Sequence, residues 1–203
     1  MLKLDHLAVS ATRLAEGVDW VESALGVALA PGGEHPLMST HNQLLGLGDI
    51  YLEVIAINPA ARTPPHPRWF DLDHFTGRPR LTNWIAGCDD LDAALARLPA
   101  GVGVPVDLER GDLRWRMAVP GDGCLPFGGA HPALIQWQGA AHPAQRLPDS
   151  GVRLQRLEIA TPDAAALNTA LSGVFSDARV SISLGPHQMR AEFTTPHGLR
   201  VLQ

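Results

Sequence analysis

The stretch "THNQLLGLGDIYLEVIAI", Thr40–Ile57, holds the groups with the most chemical potential in the chain. Glu53 sits inside one of the most apolar runs, and His41 opens the run before it. A carboxylate in such surroundings needs a partner, because burying an unpaired charge is costly or forces protonation. A metal ion, a bound substrate or a neighbouring side chain would each serve. Another histidine, His6, stands in the N-terminal "LDHLAVS". The segment "HPRWFDLDHF" gathers His66, Asp71, Asp73 and His74 in the manner of a ligand cluster, but its Pro and Arg content reads as a solvated loop. Asp149-Ser150 has no nucleophile-elbow context, and no phosphate loop or dinucleotide fingerprint occurs.

The chain as a whole excludes several classes. Its 203 residues are 45% hydrophobic and 18% charged, enough for a packed core and unlike a disordered protein. The net charge is −5 with both signs interspersed and no basic patch, so nucleic acid is not an expected partner. No apolar run is long enough to span a membrane, and the N-terminus lacks the pattern of a signal peptide. Cys88 and Cys124 match no metal-binding spacing, which fits reduced, structural thiols in a cytoplasmic protein.

Three segments share one pattern: "LDHLAVSATRLAEGVDWVESALG", "LTNWIAGCDDLDAALARLPAG" and "LQRLEIATPDAAALNTALSG". Each opens with a short apolar strand, passes a polar cap (Thr12, Asp89 or Asp90, and Thr161) and continues with the 3.6-residue period of an amphipathic helix. Strands follow each helix. The pattern predicts an α+β fold of βαβββ units: a paired set over residues 1–140, a linker at 141–150 and a third unit at 151–203. The segments "NPAARTPPHPRWFDLDHFTGRPR" and "GAAHPAQRLPDSG" read as loops over the surface.

With "LDHLAVSA", "PGGEHPLMSTHNQLLGLGDIYLEVIAI", "RLTNWIAGCDDLD", "LRWRMAVP" and "ALIQWQG" in view, the chain resembles the glyoxalase-like domain family of the vicinal-oxygen-chelate superfamily. That superfamily includes glyoxalase I, extradiol dioxygenases and bleomycin-resistance proteins. The resemblance implies tandem βαβββ units forming a curved mixed sheet, helices on its outer face and a ligand site in its concave face.

Alternation along the strands then sorts the side chains. In the first strand Leu7 and Val9 suit the helix side, leaving Leu4, His6, Ala8 and Ser10 to the cup. In "IYLEVIAI", Leu52 and Val54 suit the helix side, so Tyr51, Glu53 and Ile55 face inward. His6 and Glu53 occupy places where the superfamily takes two metal ligands. In the second unit, Asn83 stands where a histidine is common and Gln136 where a glutamate is usual. Such a set would hold a divalent ion (Zn, Ni, Mn or Fe) weakly or leave it absent; a His6–Glu53 hydrogen bond without an ion is the alternative. His41 faces away from Glu53 if the turn is Gly48-Asp49 alone, and with it if Ile50 joins the turn. Leu113, Trp115, Met117 and Val119 suit the helix side, which assigns Arg114 and Arg116 to the cup wall as readers of an anionic substrate.

The sequence therefore predicts a small-molecule protein whose catalytic pair is Glu53 and His6, with Arg116, Gln136, His41, Asn83 and Tyr51 around the substrate. The resemblance implies a metal-assisted isomerase, lyase or dioxygenase; the alternative is a metal-free sequestration protein of the bleomycin-resistance type. The odd third unit, with Arg156 and Leu202 at the equivalent places, predicts a homodimer that completes its sheet across a two-fold axis.

Overall fold

The computed structural model describes all residues, 1–203. The first unit runs β1 (Lys3–Ser10), α1 (Leu14–Leu25), β2 (Ala30–His35), β3 (Thr40–Gly46) and β4 (Tyr51–Ile57). The second runs β5 (Arg80–Gly87), α2 (Leu91–Leu95), β6 (Val104–Arg110), β7 (Leu113–Val119) and β8 (Ala133–Gln138). A short α3 (Pro143–Arg146) leads to the last set, β9 (Arg153–Thr161), α4 (Ala164–Leu171), β10 (Val180–Leu184), β11 (Gln188–Thr195) and β12 (Gly198–Leu202).

The first two units build one eight-stranded sheet, ordered β2-β3-β4-β1-β5-β8-β7-β6. Within each unit the first and last strands pair in parallel, and antiparallel β1 and β5 join the halves. This is the tandem βαβββ sheet with helices outside that the sequence predicts. The last set keeps the βαβββ element order but is wired differently. Its separate sheet runs β10-β9-β11-β12, with β10 parallel to β9, whereas the earlier units place their final strand there.

Two apolar clusters divide the interior. The larger lies outside the cup, where Leu7, Val9, Leu52, Val54 and Trp84 meet Val21 and Leu25 of α1 and Leu157, Ile159, Met189 and Phe193 of the last sheet. That sheet thus covers part of the cup's outer face, with Phe175 set edge-on to Trp84. Its other face carries Arg156, Glu158, Arg190 and Glu192 in ion pairs near solvent. The last set thus packs its apolar face on the first two units, and β10 and β12 are left as the edges of its sheet.

The smaller cluster fills the cup. Ala8, Ile55, Ile85, Trp115, Met117 and Ile135 line it, and Trp69, Phe70 and Leu72 descend into it. The segment expected to lie over the surface is therefore a plug: Trp69 is 4% exposed and Phe70 7%. Phe70 and Asp71 both take left-handed backbone angles (φ 59° and 52°), a conformation unfavourable for side-chain-bearing residues. Buried Arg68 anchors the plug by its ion pair with Asp73.

Candidate functional site

β1 and β4 run side by side in parallel, with His6 beside Tyr51 and Ala8 beside Glu53. The predicted inward facing of His6, Tyr51 and Glu53 is what the structure places there. The His6 ring stacks on Tyr51, centroids 4.3 Å apart and planes 14° from parallel. His6 Nε2 and Glu53 Oε2 stand 3.7 Å apart, and both side chains are buried.

The far side of each group is fixed. His6 Nδ1 lies 2.6 Å from Asp5 Oδ1. The other Asp5 oxygen accepts from Trp137 Nε1 at 3.0 Å and lies 3.1 Å from His142 Nε2. Burial pushes the Asp5 carboxyl pKa up, but the contacts with His142 and His6 outweigh it and hold the group well below the usual carboxylate range. An ionised Asp5 accepts a proton-bearing Nδ1 and leaves His6 Nε2 as the atom offered to the cavity. A register shift in β1 between Leu4 and His6 accompanies this placement, and Leu4, expected in the cup, joins the outer core instead.

Glu53 Oε1 accepts from Asn42 Nδ2 at 2.5 Å. The Asn42 oxygen accepts from Arg110 at 3.0 Å and from the Gly33 backbone at 2.9 Å. Arg110 ends β6 on one edge of the sheet and also reaches His35 Nε2 (3.3 Å) at the other edge, so the rims of the cup meet through it. His35 is buried, and burial followed by the Arg110 charge pushes its pKa from 6.5 down to about 3. It is therefore neutral, with Nδ1 3.0 Å from Thr40 Oγ1. Burial raises the Tyr51 phenol well above its ordinary value, so it stays protonated.

What remains between these groups is a cavity of 30 Å³, walled by His6, Glu53, Trp69, Trp115, Met117 and Trp137 among others. That is room for about one water molecule.

Other expected site residues lie elsewhere. The turn is Gly48-Asp49 alone, since the Leu47 N–H bonds the Ile50 carbonyl and Gly46 pairs with Tyr51. His41 therefore falls on the face opposite Glu53, beside Ala56, and its neighbour Asn42 takes the inward place. Arg116 and Gln136 are cross-strand partners outside the cup, contrary to expectation. Arg116 pairs with Asp92 of α2 (2.7 Å), and Gln136 accepts from the Leu91 N–H and donates to the Asp89 carbonyl, holding the start of α2. Arg114 turns to Glu109 at 3.1 Å. The physical reason is the plug: with Trp69 and Phe70 inside, the cup face of β7 must be apolar, so Trp115 and Met117 turn in. The short α2 leaves much of the outer face to polar residues. Asn83 does face the cup, but it lines a separate cleft beyond Phe70. Its buried Oδ1 has no hydrogen-bond partner, an arrangement that costs about 1–3 kcal/mol if left unmet. The loop cluster resolves into local pairs, His74 with Asp71 (2.6 Å) and Asp73 with Arg68.

A divalent metal does not fit this donor set. His6, His35 and Glu53 are the strong donors that line the cavity, but they do not converge on one point: the His35 nitrogens face Thr40 and Arg110, one Glu53 oxygen is committed to Asn42, and the second unit offers Trp115, Met117, Ile135 and Trp137. Metal centres generally require at least three good protein ligands, and the nearby Arg110 charge further disfavours a cation. Sequence reasoning missed Asp5, His35, Asn42, Arg110 and His142. Asn42 follows from the turn length, whereas Arg110 and His142 arrive from a strand end and a loop.

A profile of the glyoxalase-like domain matches residues 4–175. No curated protein matches the sequence. Among solved structures, a hypothetical protein from Staphylococcus aureus is similar at TM-score 0.63 and 12% identity, over 93% of this chain and 88% of its own. A methylmalonyl-CoA epimerase from Mycobacterium tuberculosis is similar at TM-score 0.44 and 20% identity, over 68% and 88%. The profile match, across both sheet-forming units and into the last, shows that the chain belongs to the glyoxalase-like domain family.

Proposed function

We propose that this protein binds a small carbonyl compound in its cup and moves a proton on it between His6 and Glu53, without a tightly held metal. The observation that supports this reading is the 3.7 Å gap between His6 Nε2 and Glu53 Oε2. With Asp5 taking Nδ1, His6 Nε2 faces Glu53 Oε2 across a gap too wide for a direct hydrogen bond, which leaves a place for a donor between them. A water supplies one at rest; an acidic C–H or O–H of a ligand supplies one at work. Glu53 or His6 takes the proton as general base and, now the conjugate acid, returns it to the ligand, while Asn42 and Asp5 hold the pair in line. Arg110, acting through Asn42, fixes the carboxylate and does not touch the reacting atoms.

A substrate larger than water enters only if Trp69 and Phe70 withdraw, which makes the plug the gate of this reaction. The site is complete within one chain, so the reading needs no second copy. No helix is long and apolar enough to cross a membrane. The free thiols Cys88 and Cys124 suit the reducing cytoplasm, which belongs to the same proposal.

The apolar wall from the second unit favours one other reading, sequestration of a ligand without chemistry. Hydrogen–deuterium exchange separates the two. Small 2-hydroxycarbonyl and 1,2-dicarbonyl compounds in D2O, followed by proton NMR, should lose their acidic C–H signal faster with the protein. Glu53→Gln should slow that exchange about a hundredfold or more. Saturable binding in the cup with no exchange by any compound would overturn proton transfer in favour of sequestration.

A further inference from the structure

Between the plug, β5 and the last sheet lies a half-enclosed cleft of 480 Å³. Its volume is in the usual range for small-molecule sites, which the cup cavity is not. Phe70 is the one residue that lines both. Asn83, 4% exposed, is among its lining residues, and its Oδ1 is shut from solvent without a hydrogen-bond partner. Buried polar groups are nearly always paired, so the unmet Oδ1 marks a place where a donor belongs.

Arg80 stands at the rim. It has no carboxylate partner; its guanidinium lies 4.3 Å from the Phe75 ring centroid and donates to the backbone carbonyls of Thr76 and Arg78. Asp71, the acid in the lining, is taken by His74. The opposite wall comes from the last sheet through His187, Gln188 and Met189. Partial burial and then the Arg80 charge lower the His187 pKa, a sign that the field of Arg80 crosses the cleft. Leu81, Leu125, Met189 and Phe70 give the remainder an apolar surface.

We propose that this cleft binds a small hydroxycarboxylic acid with an apolar body, its carboxylate on Arg80 and its hydroxyl donating to Asn83 Oδ1 as that amide turns toward the cleft. Each part answers one feature: an unpaired guanidinium takes a carboxylate, an orphan acceptor takes a hydroxyl, and the apolar lining takes the body. The role of the last sheet is then to complete this binding wall. The proposal stands whether or not His6 and Glu53 perform chemistry.

The test uses mandelate, with phenylacetate lacking the hydroxyl and mandelamide lacking the charge, each titrated into 15N-labelled protein. Mandelate should shift the Asn83 side-chain amide signals saturably, and each analogue should bind about tenfold more weakly. Arg80→Gln, a change at an exposed position, should weaken mandelate to the level of mandelamide. Asn83→Leu should remove the preference over phenylacetate. No saturable shift with mandelate, equal affinity for the three compounds, or shifts centred on His6 and Tyr51 would overturn the proposal. If Asn83→Leu fails to fold, the Arg80→Gln result decides.

Discussion

The Asn42 amide nitrogen lies 2.5 Å from Glu53 Oε1, across the β3–β4 pair, while the oxygen of the same amide takes the Arg110 guanidinium. One uncharged side chain thus couples a buried carboxylate to a cation that closes the far rim of the cup. Asn42→Leu would break both links and leave Glu53 and Arg110 without that partner. The expected cost is about 1–3 kcal/mol of unfolding free energy, read by denaturant titration. A neutral Asn42→Leu would show that the bridge holds nothing in place.

Metal binding follows from the donor count. Protein purified without added metal should carry clearly less than one equivalent of Zn, Ni, Mn or Fe by elemental analysis, and calorimetric titration should find weak binding or none. A full equivalent retained through chelator dialysis would mean that a ligand outside His6 and Glu53 completes a metal centre.

His35 gives stability a pH dependence of defined sign. Its pKa is 6.5 without perturbation and about 3 in the fold, so the unfolded chain binds the proton that the folded chain refuses. Stability is full above pH 6.5 and falls as the pH drops toward 3. Buried His131, lowered to about 4, adds a similar loss over an overlapping window. His35→Gln should make the slope of unfolding free energy shallower by about 1.4 kcal/mol per pH unit near the middle of that window. An unchanged slope would show that His35 is protonated in the fold.

Phe70 combines a buried ring with φ of 59°. Both truncations lose the ring, and Phe70→Ala should destabilise by about 3–5 kcal/mol. Phe70→Gly loses the same contacts but sheds the left-handed penalty, so it should be the more stable of the two by about 1 kcal/mol. The usual order, alanine above glycine, would show that the plug backbone is not held in this conformation.

The fold and half of the site were legible in the sequence for one reason: strand alternation is strict where one face meets a helix. β1 and β4 lie against the outer core, so Leu7, Val9, Leu52 and Val54 assign the outer face and leave His6, Tyr51 and Glu53 to the inner one. β7 and β8 failed that logic because the cup itself is packed with apolar side chains; Trp115 and Met117 fill a second core, and Arg116 and Gln136 brace α2. The plug was read as solvated because Pro and Arg dominate its composition, although Arg68 is buried against Asp73 and only Trp69, Phe70 and Leu72 need reach inward. Asp5, Arg110 and His142 were beyond reach, since a strand irregularity, a strand end and a loop bring them in, and no period reports on those. The wiring of the last sheet was equally hidden, because the element order is the same in all three sets.

Proton exchange between a ligand and the pair His6 and Glu53, unaided by metal, is tested most directly by the same reaction in D2O run with and without a strong chelator. For a compound whose C–H exchange the protein accelerates, the rate should be unchanged by chelator and should fall about a hundredfold or more in both Glu53→Gln and His6→Gln. Exchange that stops with chelator and returns with added Zn, Ni, Mn or Fe, or that survives in both variants, would contradict it.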